Sequence, residues 1–403
     1  MSSSADSGSF KPIYFLALGT FAIGTEGFMI VPLLPRMSAD LSVPIAAVGS
    51  LVTIFTLTLA ISSPVLTTLT GAINRRKLLI WSMLAFAAAN LAAFASRDYW
   101  GIMVARILLA LSAGLYAPNA NALASAIVSP ERRGRALSVV NGGITLAIAL
   151  GLPLGSLIGD AFGWRMTFLG VGILSLIAVT GLVFGLQKGV GDQMKVASFK
   201  ERVAVVGNPQ VLAALLVTFI WAAGAYTAWT YIAPYLTSTI GASSNGISAI
   251  VSIWGLSAAA GVFGGGALND RVGANTVMVP ALTLLAMAFL TLSTSAYFLT
   301  PGEAIAPVVI SVIVWGLTAW GFYPSQIARL IEVGGHPVAP IVVSLNTSFM
   351  YAGFAVGATV GSVVISSGSV ANLGWIGALF EAVALSLVVT TTREAGRKQA
   401  VQS

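Results

Sequence analysis

The chain has 403 residues, of which 57% are hydrophobic and only 8% are charged. Soluble domains carry about 25% charged residues, so this composition excludes a protein whose whole surface faces water. Without cysteine the chain has no disulfide, thiol nucleophile or Cys-ligated metal site, and with a single histidine it has no metal site built from several histidines.

Apolar windows of about 20 residues, long enough to cross a bilayer, recur along the sequence. The first window has no basic region before it and no small-residue cleavage site after it, so we expect a retained helix rather than a signal peptide. The windows predict an all-α membrane protein with twelve transmembrane helices, near 12–35, 45–70, 78–96, 99–128, 136–160, 164–187, 209–236, 244–268, 274–296, 303–330, 338–366 and 370–391.

The formal net charge is +7, and most of the lysines and arginines lie in short clusters in alternate loops between these windows. This pattern is typical of cytoplasmic loops and not of nucleic-acid binding, so we expect both termini to be cytoplasmic and the protein to lie in the cell's inner, cytoplasmic membrane.

The longest internal polar stretch separates the first six predicted helices from the last six. Two six-helix halves are typical of a transporter built from repeats, although the length of one loop could also arise by accident. The predicted divisions are an N-terminal tail (1–11), an N-terminal six-helix bundle (12–187), a cytoplasmic linker (188–207), a C-terminal six-helix bundle (208–392) and a C-terminal tail (393–403).

Three ionisable residues stand out because they lie well inside predicted helices: Glu26, Arg106 and Glu381. At 1.5 Å per residue, Glu26 and Arg106 lie about 14 Å and 11 Å from the same membrane face, so they are expected to meet across helices 1 and 4. A carboxyl whose charge depends on a nearby arginine and on water access suits a proton-coupled carrier. A static structural ion pair is the alternative.

Glu381 lies near the middle of the last predicted helix, without an evident partner at the same depth. It is either a second protonation site or a protonated carboxyl with local hydrogen bonds.

Aromatic, amide and hydroxyl side chains recur within the helices, most densely in helices 7 and 10. Such a mixture suits a cavity for a moderately apolar organic molecule, although any one aromatic ring could instead pack between helices or lie in an interfacial belt. The predicted substrate-binding residues are Tyr116, Asn119, Asn141, Thr145, Trp221, Tyr226, Trp229, Trp315, Tyr323, Gln326, Asn346 and Phe349.

Two stretches of the first half carry recognisable motifs, LALGTFAIGTEGFMIVPLLPRMSADL in helix 1 and NGGITLAIALGLPLGSLIGDAFGWRMTF in helix 5. In helix 5, Gly142, Gly151 and Gly155 allow close approach to a neighbouring helix, and Pro153 is expected to bend the helix. In the second half, the pattern G-x-x-x-D-R-x-G is intact as Gly266, Asp270, Arg271 and Gly273.

With these motifs, the chain resembles the major facilitator superfamily, specifically twelve-helix drug:proton antiporters of the sugar-efflux and arabinose-efflux branch. The resemblance implies two pseudo-symmetric six-helix bundles. It also implies a cytoplasmic gate that includes the G-x-x-x-D-R-x-G residues and the loop residues Glu131 and Arg133. Two departures are visible: helix 5 carries a variant of the antiporter pattern, and the first-half gate loop has Asn74 where the acid is expected.

The resemblance further implies proton-coupled efflux of small organic molecules, such as drugs or sugars, by alternating access. In this hypothesis Glu26 takes the proton and Arg106 tunes its pKa. The expected partners are a small-molecule substrate, protons and the lipid bilayer, with no cofactor, metal, enzymatic activity or nucleic acid, and the chain is expected to act as a monomer. A proton-coupled importer of the same fold and a non-transporting membrane receptor remain alternatives.

Overall fold

The computed structural model describes residues 10–129, 132–187, 189, 191 and 198–402, except the side chains of 336 and 393–402. Within them, twelve helices are long and apolar enough to cross a membrane, which confirms the all-α transmembrane prediction. In chain order they are α1 (Lys11–Leu41), α2 (Ile45–Leu69), α3 (Arg75–Ala95), α4 (Tyr99–Ala126), α5 (Arg133–Phe162), α6 (Arg165–Gly185), α7 (Pro209–Trp229), α8 (Ser244–Val272), α9 (Ala274–Phe298), α10 (Pro301–Gly334), α11 (Ala339–Ser366) and α12 (Asn372–Thr392).

The first and seventh helices are interrupted at corresponding places. In α1, the helix Lys11–Met29 is followed by a 3-10 turn and a second helix, Leu34–Leu41. After α7, a separate helix covers Ile232–Ile240, so the expectation of one continuous segment over 209–236 was wrong at its end. Pro32 and Pro234 lie beside these breaks, where each lacks an N–H donor and crowds the preceding turn.

Helix α5 contains a π-helical turn at Ala147–Gly151, between α-helical parts that end at Leu146 and begin at Leu152. Pro153 follows at once, and its ring is incompatible with a regular helical bond to the carbonyl four residues earlier. A π turn of this kind is frequent at functional sites because it shifts the register of the helix face.

Contacts between Cα atoms group the described residues into two units. The first holds residues within 1–29 and 62–196, and the second holds 30–61 and residues within 197–403. The C-terminal part of α1 and the N-terminal part of α2 therefore belong to the second unit. The predicted division into six-helix bundles stays a prediction.

Glycines bring four helices of the second unit into close contact. A methyl group at Gly261 or Gly265 of α8 would collide with backbone carbonyls of α10. In the same way, Gly353 and Gly357 of α11 lie against backbone carbonyls of α7. Small residues permit such close packing in a membrane, and here they hold the aromatic side chains of α7, α8 and α10 near one another.

The predicted linker, 188–207, lies partly outside the described residues. Its last part forms a short helix, Phe199–Val206, with a capping box between Ser198 and Glu201. The backbone N–H of Ser198 donates a hydrogen bond of 2.6 Å to the Glu201 carboxylate, which lowers the pKa of Glu201. Beyond α12, the helix continues to Gln402.

Candidate functional site

Glu26 of α1 and Arg106 of α4 form a buried ion pair in the first unit. Arg106 donates a hydrogen bond from Nη1 to Oε1 of Glu26, and both side chains are 0% exposed. The other carboxylate oxygen of Glu26, Oε2, has no hydrogen-bond partner among the described residues. The structure therefore brings together the two residues that matched depth predicts to meet.

The pair is sensitive to the loss of either charge, because both side chains are buried and each charge is compensated by the other. Breaking a buried pair by removing one partner costs about 3–5 kcal/mol, since the remaining charge is left uncompensated. Adding a proton to Glu26 would remove the negative charge that holds Arg106. A proton on this carboxyl would therefore change the forces between α1 and α4.

The residue before Glu26 lies against the π turn of α5. A methyl group at Gly151 would collide with the Thr25 side chain, and one at Gly155 would lie 2.7 Å from Cβ of Met29. Gly142 has no atom within 4 Å of such a methyl, whereas its neighbour Gly143 lies against the backbone of Ala17 in α1. The close approach of α5 to α1 thus uses Gly143, Gly151 and Gly155.

A second feature is an aromatic cavity in the second unit. Its lining residues come from α7, α8, α10 and α11, and they are Trp221, Ala225, Tyr226, Trp229, Trp254, Trp315, Ala319, Trp320 and Phe354. The rings leave about 10 Å³ free in this conformation, room for roughly one water molecule. A cavity for a drug-sized molecule measures about 300–1,000 Å³, so the rings must separate to admit one.

The rings close the cavity by stacking on one another. Trp229 and Trp254 are stacked with ring centroids 3.8 Å apart. The Trp315 ring makes a T-shaped contact with each of them, with centroid distances of 6.0 Å to Trp229 and 5.9 Å to Trp254. The indole N–H groups of Trp221 and Trp315 are buried without an acceptor among the described residues. These walls offer faces for aromatic stacking and N–H donors for a polar group of a ligand.

A buried polar network adjoins the aromatic residues. Gln326 of α10 donates from Nε2 to Thr218 Oγ1 of α7 at 2.9 Å, and Thr218 donates to Asn346 Oδ1 of α11 at 2.6 Å. Oε1 of Gln326 and Nδ2 of Asn346 have no partner among the described residues. Tyr323, three residues before Gln326 on α10, stacks on the cavity residue Trp221 with ring centroids 6.1 Å apart.

The predicted substrate residues of the first half lie in the other unit. The Tyr116 hydroxyl donates to the Leu16 carbonyl at 3.1 Å, and Asn119 donates to the backbone of its own helix. Asn141 accepts a hydrogen bond from Asn121 at 3.3 Å, and Thr145 is half-buried. Their role in binding stays a prediction.

Of the predicted second-half residues, the structure brings Trp221, Tyr226, Trp229 and Trp315 together around one cavity. Phe349 does not line it. That ring packs instead on a buried cluster that includes Val211 of α7.

The sequence did not single out Trp254, Phe354 and Thr218 as neighbours of this cavity, whereas Trp320 belongs to the aromatic residues expected in helix 10. Trp254 is the only tryptophan of α8, so a search for helices rich in aromatic residues passes over it. Thr218 is one of many helical threonines, and only its cross-helix contacts distinguish it.

The described residues of the predicted cytoplasmic gate lie at or near the ends of helices. Asp270 and Arg271 are exposed at the end of α8, and Gly273 ends the helix with a φ of 82°, a conformation that favours glycine. Gly266 lies one turn earlier, near Pro324 of α10.

In the first half, Arg133 is exposed at the start of α5, and Glu131 lies outside the described residues. Asn74, at the position of the expected acid, accepts a hydrogen bond from the Lys77 N–H at 2.9 Å and caps α3. Arg75, which the sequence did not single out, donates a hydrogen bond of 3.0 Å to the Gly71 carbonyl and so provides a partner for a backbone acceptor of the preceding turn. No group of three or more potential metal ligands is found in the part of the chain that the structure describes.

Comparison with known proteins finds a matching family model and several relatives that align with nearly the whole chain. The model of the Major Facilitator Superfamily matches residues 16–332. The "Inner membrane transport protein YdhP" of Escherichia coli (strain K12) is 33% identical over 390 residues, 95% of this chain and 96% of that protein. The "Uncharacterized MFS-type transporter YbcL" of Bacillus subtilis (strain 168) is 32% identical over 380 residues, 93% of each chain.

A further relative has a name that refers to drug resistance. The "Chloramphenicol resistance protein" of Streptomyces lividans is 30% identical over 394 residues, 93% of this chain and 94% of that protein. Among solved structures, the human organic anion transporter MFSD10 (TETRAN) is similar with a TM-score of 0.72 and 14% identity, over 94% of this chain and 99% of that one. This likeness concerns the fold alone and confirms the predicted major facilitator fold.

Proposed function

This chain belongs to the Major Facilitator Superfamily, and from that premise we propose that it exports small organic molecules across the cytoplasmic membrane in exchange for protons. The observation that carries the proposal is the buried pair of Glu26 and Arg106. Export rather than import is favoured by the 30% identity to a chloramphenicol resistance protein and by the antiporter-like pattern of α5.

In this proposal, Glu26 is the proton acceptor of the transport cycle. Its Oε2 makes no hydrogen bond with a described residue, so a proton can bind there without displacing Arg106 from Oε1. The neutral acid attracts Arg106 less than the carboxylate does. Because Thr25 packs on Gly151, a shift of α1 is passed directly to the π turn of α5.

The substrate binds, in this proposal, in the aromatic cavity of the second unit. The stacked rings of Trp229 and Trp254 separate to hold an apolar ring, and Gln326 and Asn346 supply polar contacts nearby. Tyr116, Asn119, Asn141 and Thr145 remain predicted substrate contacts of the first unit. The proposal also retains cytoplasmic termini, action as a monomer, and a gate formed by Gly266, Asp270, Arg271, Gly273, Glu131 and Arg133.

The direction of coupling is tested with purified protein in liposomes that carry a pH gradient, with radiolabelled chloramphenicol as the first probe. A proton antiporter accumulates the probe in the more acidic compartment whichever way the protein is inserted. A proton symporter accumulates it in the more alkaline one, and this result would replace the export proposal by the importer alternative. A receptor moves no solute in either gradient.

The role of Glu26 is tested in the same liposomes with Glu26→Gln. We expect the variant to bind the probe in a thermal-shift assay but to lose proton-driven accumulation. Glu303→Gln is the matched control, because Glu303 is an exposed carboxylate in a capping box with Thr300, where glutamine serves as well. Proton-driven accumulation by Glu26→Gln at the wild-type level would remove Glu26 from the mechanism.

A further inference from the structure

Glu381, in the middle of α12, is a buried carboxyl that the proposed cycle does not use. It is 0% exposed, and neither of its carboxylate oxygens has a hydrogen-bond partner among the described residues. An ionised carboxylate without a hydrogen-bond donor or a cation beside it is strongly disfavoured inside a membrane protein. The group is therefore a neutral acid in this conformation, and ionisation requires a different environment.

The carboxyl lies directly against the backbone of α7. A methyl group at Gly224 would be 2.7 Å from Oε1 of Glu381 and 2.8 Å from Cβ of Phe380. On the facing helix, a methyl at Gly377 would be 3.3 Å from the Gly224 carbonyl. Two glycines thus leave no side chain between the Glu381 carboxyl and α7, so a small separation of α12 from α7 opens this contact.

The same stretch of α7 forms a wall of the aromatic cavity. Ala225, next to Gly224, lines the cavity together with Trp221. From the other side, Phe289 of α9 packs on Gly377 and meets the Trp315 ring edge-on at 4.9 Å. A movement at Glu381 therefore reaches the cavity through the α7 backbone and through the Phe289–Trp315 contact.

The neighbouring helices bring no charge to Glu381. Helices α7, α9 and α11, which pack on α12, contain no Asp, Glu, Lys or Arg. Their tyrosines are engaged elsewhere: Tyr226 stacks on Phe354, Tyr351 meets that ring edge-on, and Tyr297 donates to Asn372.

The charged side chain that contacts α12 from a neighbouring helix is Arg329 of α10. It donates to Thr391, ten residues and about 15 Å along the helix from Glu381. Among the described residues, no ion pair therefore sets the charge state of Glu381.

We propose that Glu381 is a second proton-binding site of the carrier, occupied in this conformation and deprotonated when α12 separates from α7 at Gly224. The carboxylate binds one proton from water on one side of the membrane, and the acid releases it to water on the other. This inference rests on the proposed exchange of substrate for protons. It adds one proton per cycle to the one that Glu26 carries, and it makes the state of the aromatic cavity depend on pH.

Protonation is measured without substrate, by infrared difference spectroscopy of the purified protein over the pH range in which it stays folded. A carboxylic acid that titrates gives a carbonyl band in the difference spectrum. We expect the wild type to show a band that Glu381→Gln lacks and that Glu26→Gln retains. A Glu381→Gln spectrum that superimposes on that of the wild type would overturn the proposal, because Glu381 would then be a permanently neutral structural group.

Gly224→Ala provides a second variant that leaves Glu381 in place. Its methyl group displaces the carboxyl, so we expect the same band to shift in wavenumber and in midpoint pH. Gly264→Ala of α8 is the matched control, since nothing lies within 4 Å of that methyl. An unchanged band in Gly224→Ala would contradict the contact on which the proposal depends. If Glu381→Gln does not fold, the Gly224→Ala spectrum alone tests the proposal.

The coupling ratio is measured in liposomes from the limiting substrate gradient at several fixed pH gradients, with the membrane potential held at zero. The slope of the logarithm of the substrate concentration ratio against the pH difference gives the number of protons exchanged per substrate. We expect this slope to be smaller by one in Glu381→Gln than in the wild type. An unchanged slope would exclude Glu381 from the cycle. If Glu26→Gln proves fully coupled while the Glu381 band is present, the Glu26 assignment fails and this site stands.

Discussion

Arg106 of α4 donates a hydrogen bond to Glu26 of α1 at a depth where neither side chain has any exposed surface. The ion pair joins two helices of the first unit and leaves Oε2 of Glu26 without a partner among the described residues. In the proposed transport cycle, stability and proton coupling therefore depend on the same two side chains. A variant that separates the two roles is the most informative test of this pair.

Replacing Arg106 by alanine should lower the stability of the protein by about 3–5 kcal/mol, because it leaves the buried Glu26 without its counter-charge. The double variant Glu26→Leu with Arg106→Met should regain most of that loss, since two apolar side chains need no compensation. Both variants should lose proton-driven transport. Thermal unfolding in detergent and transport in liposomes measure the two effects separately. Proton-driven transport by the double variant would show that the pair serves only packing.

Gly151→Ala should impair transport strongly, because its methyl group collides with Thr25 next to Glu26 and forces α5 away from α1. Gly142→Ala is a matched control in the same helix and motif, with no atom within 4 Å of the added methyl. We expect the control to transport at the wild-type rate and to be slightly more stable, as alanine favours a helix over glycine by about 1 kcal/mol. Equal rates in both variants would contradict a role for the α1–α5 contact.

The sequence was sufficient to predict the twelve helices, because hydropathy and length determine which segments can span a bilayer. It also predicted the meeting of Glu26 and Arg106, since an uncompensated charge inside a membrane is costly and few partners exist at the same depth. The grouping of Trp254 with Trp229 could not be predicted, because it depends on which face of α8 turns toward α7. The π turn of α5 was likewise beyond helical periodicity, although Pro153 marked its place.

Trp229→Phe should weaken binding of an aromatic substrate by about 2–10-fold, which corresponds to the 0.5–1.5 kcal/mol of one aromatic contact. Trp229→Ala should weaken it further, because the partner ring of Trp254, 3.8 Å away in the stack, loses its neighbour. Trp81→Phe provides the control, as Trp81 is 68% exposed on α3. Equilibrium binding of labelled chloramphenicol measures the effect, and equal affinities for the Trp229 and Trp81 variants would place the substrate outside the cavity.

Thr218→Val should destabilise the protein by about 1–3 kcal/mol, because it removes the hydroxyl that links Gln326 to Asn346 and leaves a buried amide oxygen unpaired. Thr283→Val, an exposed threonine of α9 bonded only to its own helix backbone, should change stability by less than about 0.5 kcal/mol. A cycle with Asn346→Leu should give a coupling energy of about 0.5–3 kcal/mol, since both residues act in one network. Thermal unfolding of the two single variants and the double variant measures it. Strict additivity would mean that Thr218 and Asn346 act independently, and it would remove the network as the polar support of the aromatic cavity.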